Sequence, residues 1–113
     1  MTYFVVNTAF PLVTEVRVYA ETIDHIRDEH PEIPIELPSL IHGMTNTLEQ
    51  PAYIEQGNRP NTYVYVDPTS TNASGDPFRV PVKIISGTSA LVKTAFFASP
   101  ENPPLIVWRR GDE

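Results

Sequence analysis

Alternating apolar and polar positions predict that much of this chain forms β-strands. The clearest example is VTEVRVYA (13–20), in which Val16 and Val18 share one face. FRVPVKII (78–85) alternates in the same way. Pro81 within it predicts an edge position or a bulge, because proline cannot donate a ladder hydrogen bond. Further strands are predicted at AYIEQ (52–56), TYVYVD (62–67), ALVKTAFFAS (90–99) and LIVW (105–108).

Two segments have helical periodicity instead. A first helix is predicted from Ile23 to Glu29, with Thr22 as its N-cap. It should end there because Pro31 disfavours helical geometry at the preceding residue. The second predicted helix, Ser39–Glu49, carries Leu40, Ile41, Met44 and Leu48 at helical spacing, and His42 falls within this apolar pattern as a structural residue.

The remaining segments are connectors. EIPIELP (32–38) contains two prolines and is predicted to be extended, and PTSTNASGDP (68–77) is a polar loop too long for a tight hairpin turn. GNRPN (57–61) and SGTS (86–89) have turn composition. The order of elements predicts one α+β domain over residues 1–113. In it, an N-terminal strand and two helices pack on an antiparallel meander of about four strands.

Charge and composition narrow the class of protein. The 113 residues carry a net charge of −6 and contain no cysteine, which excludes disulfides and thiolate zinc sites. Residues 1–56 have two arginines against nine acids, whereas residues 57–113 have six basic and five acidic side chains. A protein that coats nucleic acid non-specifically would be basic throughout, so a localised phosphate site in the second half is the form of nucleic-acid binding that remains.

The apolar runs also bear on location. No run approaches the ~20 residues needed to span a bilayer. The stretch MTYFVVNTAFPLV lacks a basic leader and is interrupted by Asn7 and Thr8, so a secretory signal is not expected. A cytoplasmic protein without a membrane partner is the resulting expectation.

Several short motifs, in order, resemble a nuclease family. They are His25-Ile26, His30-Pro31-Glu32, Pro51-Ala52-Tyr53-Ile54 and Val92-Lys93-Thr94-Ala95-Phe96. In this order and spacing the chain resembles the phage-associated nuclease domains grouped with barnase, EndoU, colicin and RelE ribonucleases. The resemblance covers roughly residues 13–98 and leaves 100–113 as a tail. It implies a phage-linked or toxin-type ribonuclease that needs no metal or cofactor, with RNA as substrate and a cognate immunity or antitoxin protein as a further partner.

The histidines are the first candidates for that chemistry. Cleaving RNA without a metal requires a base for the ribose 2′-OH and an acid for the leaving oxygen, and histidine serves either role near neutral pH. His25 and His30 are therefore the candidate acid–base pair, although a histidine in a short amphipathic helix is more often an ordinary surface residue. A zinc site is disfavoured, because a spacing of five rotates the second ring by about 140° around a helix.

Candidates for binding the substrate lie on the predicted strands. Arg79 and Lys83 are four residues apart on one strand, so both point to one face as a possible phosphate clamp, unless they are simply solvated. The Thr94 hydroxyl could bond a phosphate oxygen, or Thr94 could be a buried strand residue. Lys93 would point to the opposite face of the strand from Thr94 and is a weaker candidate for binding phosphate. Tyr63 and Tyr65 could stack on bases, but strand aromatics are more often packing residues.

Other functions remain open on the sequence. Serine hydrolase chemistry has no Gly-x-Ser-x-Gly motif to support it. The charge of −6 favours a non-catalytic binding protein, such as an inhibitor of basic nucleases, and a small phage accessory protein is a third alternative. The enzyme hypothesis requires His25, Arg79 and Thr94 to converge on one concave face. The oligomeric state is not predicted.

Overall fold

The computed structural model describes residues 3–30, 40–100 and 104–110, which form two helices and eight strands in one mixed sheet. The predicted α+β fold is confirmed. The helices are α1 (Ala20–Glu29) and α2 (Leu40–Glu49). The strands are β1 (Tyr3–Asn7), β2 (Glu15–Tyr19), β3 (Tyr53–Gln56), β4 (Thr62–Thr71), β5 (Pro77–Ser86), β6 (Ser89–Val92), β7 (Phe96–Phe97) and β8 (Ile106–Arg109).

The sheet is built around an antiparallel meander. Its order is β1-β2-β6-β5-β4-β3-β8, with β7 pairing with β5, so β3 to β6 form the predicted four antiparallel strands. On one side β2 joins β6 in parallel, and on the other β8 adds to β3 antiparallel. The turn between β5 and β6 contains Gly87 at a φ of 54°, a left-handed conformation that glycine adopts without a steric penalty.

The N-terminal elements differ from the sequence prediction. Strand β1, which pairs antiparallel with β2, was not predicted because YFVVN is almost uniformly apolar and shows no clear alternation. Helix α1 begins at Ala20, directly after β2, so Thr22 lies in its first turn and is not its cap. The end of α1 at Glu29 is as predicted. The predicted connector 32–38 and the predicted helix start at Ser39 lie outside the described residues.

The polar segment 68–77 is shorter as a loop than predicted. Strand β4 continues to Thr71 and β5 starts at Pro77, which leaves only residues 72–76 between them. Asp67 accepts hydrogen bonds from the Thr69 backbone N–H and from the hydroxyls of Thr69 and Ser70. The pairing register between β4 and β5 shifts after Asp67. The hydrogen bonds to Asp67 satisfy the polar groups of Thr69 and Ser70 at this shift, so the polar residues that follow Asp67 still belong to strand β4.

The predicted strand 90–99 is interrupted. Strand β6 ends at Val92 and β7 begins at Phe96, so residues 93–95 leave the strand pattern opposite Pro81. The Pro81 carbonyl accepts a hydrogen bond from the Lys93 N–H, but Pro81 has no N–H to return. Strand β5 lies inside the sheet and is not an edge strand. Of the two arrangements predicted for Pro81, an edge position or a bulge, the structure shows the bulge, which is in the partner segment opposite the proline.

The core lies between one face of the sheet and the helices. Phe78, Val80 and Val82 on β5 are fully buried on this helix-covered face, together with Ile26 of α1 and Met44 of α2. Arg79 and Pro81 alternate with them and point to the opposite face. That second face carries a cleft lined by polar and cationic side chains.

Candidate functional site

The cleft on the second face is bordered by the residues that follow β7 and those that precede β8. After β7, the Ala98 N–H bonds to the Pro77 carbonyl of β5. Before β8, the Leu105 carbonyl accepts the Gln56 N–H of β3. Pro100 and Pro104 line the cleft, which has a volume of about 370 Å³. This is within the size range of small-ligand sites, which begins at about 300 Å³.

The polar residues that line the cleft are cationic or neutral. They are Gln56, Asn58, Arg59, Thr62, Arg79, Lys93 and Thr94, which come from strands β3, β4 and β5, from the turn between β3 and β4, and from the segment after β6. None of the described residues lining the cleft is Asp, Glu or His. Three of them are cations, and two of these, Arg59 and Lys93, are exposed, so in a chain with a net charge of −6 the cleft is a local site suited to an anion.

Arg79 is fixed at the floor of this site by an ion pair. Its guanidinium donates to the carboxylate of Glu55, and the two side chains are only 6% and 4% exposed. Glu55 lies on β3 and Arg79 on β5, and they meet over the intervening strand β4. Burial lowers the pKa of Arg79 from its usual value, but that value is so far above neutral that the guanidinium stays charged. Glu55 compensates this buried charge, so the exposed cations Arg59 and Lys93 give the cleft its net positive charge.

Arg59 is placed by a tight turn between β3 and β4. The Thr62 hydroxyl accepts the Arg59 backbone N–H at 3.2 Å and donates to the Arg59 carbonyl. The Gly57 N–H bonds to the Thr62 carbonyl at 2.9 Å, and a side chain at Gly57 would overlap Thr62. The GNRPN turn therefore holds the arginine backbone at the mouth of the cleft in one conformation.

Lys93 and Thr94 enter the cleft together because of the bulge. In a regular strand they would point to opposite faces, as the sequence suggested, but residues 93–95 are outside the strand pattern and both line the cleft. Thr94 is half-buried, and Lys93 is exposed. The half-buried ring of Phe96 forms part of the wall beside them. A hydroxyl, an ammonium and an aromatic surface are thus adjacent on one short segment.

The predicted histidine pair is not part of the cleft. His25 is 61% exposed on α1, with its Nε2 atom 3.9 Å from an oxygen of Glu29, and it does not line the cleft with Arg79 and Thr94. His30 follows α1, and its ring centroid lies 6.0 Å from that of Phe96, the aromatic wall of the cleft. The convergence of His25, Arg79 and Thr94 that the enzyme hypothesis required is therefore not met: Arg79 and Thr94 line the cleft but His25 does not, so a mechanism that uses His25 fails on geometry. His42 lies on the exposed side of α2, although its place in the apolar pattern suggested a structural role.

The other predicted binding residues are elsewhere. Lys83 is on the same sheet face as Arg79 but is exposed beyond Pro81 and does not line the cleft. Tyr65 is fully buried on the helix-covered face, where its hydroxyl accepts a hydrogen bond from Thr8 and burial raises its pKa. Tyr63 packs edge-to-face on Phe10 at 5.1 Å. Tyr65 therefore has no surface on which a base could stack.

The sequence reasoning missed two residues of the site. Glu55 belongs to a strand of only four residues, and nothing in YIEQ shows that its carboxylate meets an arginine 24 positions away. Arg59 lies in a segment that was assigned only as a turn. A charged residue within a GNRPN turn was the one available clue, since turns often carry binding groups on a rigid scaffold.

Comparison with family models, curated proteins and solved structures finds no match for this chain. The resemblance to nuclease domains therefore stays a prediction, and the site is interpreted from its own residues. Within the described ranges, no three His, Asp or Glu side chains come together as a metal site would require. Neither described helix is long and apolar enough to cross a membrane.

Proposed function

We propose that this domain binds RNA through the cleft and cleaves it without a metal, by attack of the ribose 2′-OH on the adjacent phosphate. The observation that carries the proposal is the convergence of Arg79 and Thr94, predicted separately, with Lys93 and Arg59 in one cleft. Guanidinium and ammonium groups bind phosphate oxygens and stabilise the charge that develops on a phosphorane. The Thr94 hydroxyl supplies a further hydrogen bond to that group.

For proton transfer we assign His30 in preference to His25. The His30 ring is 6.0 Å from the ring of Phe96, which lines the cleft, whereas the His25 ring lies on the exposed side of α1 beside Glu29. The ordinary pKa of a histidine is close to neutral, which suits a group that both takes and returns a proton. His30→Ala should therefore reduce cleavage by about a hundredfold or more, and His25→Ala should leave it unchanged.

The experiment is cleavage of a fluorescent RNA by the purified protein in the presence of EDTA, together with its binding affinity. Thr94→Val and Lys93→Ala test the cleft. Arg27→Ala, which removes an exposed arginine from α1, is the matched control. Binding and cleavage that fall in the cleft variants but not in the control support the proposal. An RNA affinity that is the same in all variants, or no binding by the wild-type protein, would reject it.

A non-catalytic binding protein is the second candidate, and the surface of α1 favours it. This helix exposes Glu21, Asp24, Asp28 and Glu29 around a single arginine, which is an acidic patch suited to a basic protein. Under this function a basic ribonuclease would bind the domain at low salt, and Asp24→Asn with Asp28→Asn would weaken that complex without changing RNA affinity. Calorimetry with the two proteins distinguishes the two functions.

A further inference from the structure

A cluster of two tyrosines and an arginine lies on the same face of the sheet as the cleft. The Arg17 guanidinium carbon is 5.1 Å from the centre of the Tyr3 ring, and its Nη1 donates to the Tyr19 hydroxyl at 3.4 Å. The Tyr3 and Tyr19 rings are 5.1 Å apart and inclined at 49°. Tyr3 is 45% exposed, so this aromatic and cationic cluster is open to solvent.

The register of the strands places this cluster beside the cleft. Strand β2 runs parallel to β6 with Glu15 opposite Ser89 and Arg17 opposite Leu91, so Tyr19 at the end of β2 lies towards the same end of the sheet as Lys93, which follows β6. Lys93 lines the cleft, and Tyr3 pairs with Tyr19 one strand farther out. Neighbouring strands are about 4.8 Å apart, and Tyr19 lies one strand and Tyr3 two strands from β6, whose end leads into Lys93.

We infer that this cluster continues the RNA site, with Tyr3 and Tyr19 stacking on bases and Arg17 binding the phosphate between them. The inference rests on the proposed function and deepens it, since it makes the ligand a single strand several nucleotides long. Exposed aromatic rings next to cations are the usual way in which proteins bind single-stranded nucleic acid without regard to sequence. A duplex would not offer its base faces to these rings.

The charges on this face agree with that ligand. Arg17, Lys83 and Lys93 all belong to it and are half-buried or exposed. Its acid near the cluster is Glu15, which lies on the far side of Arg17 from the cleft and accepts a hydrogen bond from the Ser89 hydroxyl at 2.7 Å. Glu15 is therefore farther from the cleft than Arg17 and Tyr19 on the same strand.

Oligomer length separates this inference from the proposed function. The probes are a uridine dinucleotide and a uridine octamer, both 2′-O-methylated so that the 2′-OH attack is blocked, and the readout is their affinity by calorimetry. We expect the octamer to bind much more tightly than the dinucleotide. We expect Tyr3→Leu and Arg17→Met each to weaken the octamer by about tenfold while leaving the dinucleotide unchanged.

Matched controls and variants define the outcomes. Ile41→Ala removes an exposed apolar side chain from α2, and Arg27→Met removes an exposed arginine from α1; both should leave octamer binding unchanged. Equal affinity of the wild-type protein for both oligomers, or octamer binding insensitive to Tyr3→Leu and Arg17→Met, would overturn the inference and leave the cleft proposal standing. Absence of binding to either oligomer would overturn both.

Discussion

The two faces of the sheet differ in what alternate residues of the same strand do: on one face they form the core, and on the other they line the cleft. On β5, Phe78, Val80 and Val82 are fully buried beneath the helices. Their neighbours Arg79 and Pro81 face the cleft, where one carries a charge and the other breaks the strand ladder. The comparison teaches that a single strand can supply stability on one side and binding chemistry on the other, so the two properties should be separable by substitution.

The largest effect is expected on the helix-covered face. Phe78→Ala should lower the free energy of unfolding by about 4 kcal/mol, because it leaves a cavity in a fully packed core. Phe96→Ala, on the half-buried wall of the cleft, should cost less stability and mainly weaken RNA binding. Urea unfolding followed by circular dichroism compares the two. A larger loss of stability in Phe96→Ala than in Phe78→Ala would contradict this division of roles.

The next effect concerns the one buried ion pair in the described residues, Glu55–Arg79. Glu55→Gln should destabilise the fold by about 3 kcal/mol, because it leaves the Arg79 guanidinium buried without its carboxylate. Urea unfolding at neutral pH measures this loss.

A double variant shows whether the pair serves stability or binding. Glu55→Leu combined with Arg79→Met replaces the pair by apolar side chains, which is often neutral for stability. We expect this variant to recover most of the unfolding free energy but to bind RNA less tightly, since the cleft loses the N–H donors of Arg79 although its net charge is unchanged. Full RNA affinity in the double variant would show that Arg79 has no role in binding.

The fold was largely predictable because its strands alternate. Val16, Val64 and Val80 each sit in a two-residue period, and the meander follows from the order of such segments. Strand β1 was missed because Phe4, Val5 and Val6 are consecutive apolar residues, a pattern that does not separate a strand from other buried segments. Local periodicity therefore predicts the elements, whereas an apolar run without alternation needs its partner strand to be recognised.

The site was predictable only in part, because it depends on contacts between distant residues. Arg79 and Thr94 were candidates for local reasons, but the place of Thr94 depends on a bulge opposite Pro81, a residue of another strand. Alternation from the buried Val92 puts Lys93 on the cleft face and Thr94 on the helix-covered face, and only the bulge brings Thr94 into the cleft as well. His25 was chosen for its chemistry alone, and helix α1 holds it on an exposed surface away from the cleft.

Tyr65 on the helix-covered face should make a smaller contribution to the free energy of unfolding, and this contribution should be lost at alkaline pH. Burial raises the pKa of Tyr65 in the folded protein above its value in the unfolded chain. Its contribution to stability is therefore complete below the unfolded pKa of about 10 and is lost as the pH rises above that value. We expect Tyr65→Phe to flatten the decline of the urea midpoint between neutral pH and about pH 11.

The hydrogen bond to Tyr65 provides the control for that measurement. Thr8→Val removes the donor to the Tyr65 hydroxyl but keeps the titrating group, so it should cost about 1 kcal/mol at neutral pH and retain the alkaline decline. A decline as steep in Tyr65→Phe as in the wild-type protein would show that other groups govern alkaline unfolding.

The smallest effect on stability is expected when Lys93 or Lys83 is replaced, and the two variants should differ in RNA affinity. Lys93 and Lys83 are both exposed, so replacing either by alanine should change the unfolding free energy by less than about 0.5 kcal/mol. Only Lys93 lines the cleft, so Lys93→Ala should weaken RNA binding more and reduce the salt dependence of the affinity by about one phosphate contact. Titrations at several salt concentrations measure both quantities. If Lys83→Ala had the larger effect, the phosphate would lie along β5 beyond Pro81, as the spacing of Arg79 and Lys83 suggested, and the cleft would not be the main phosphate site.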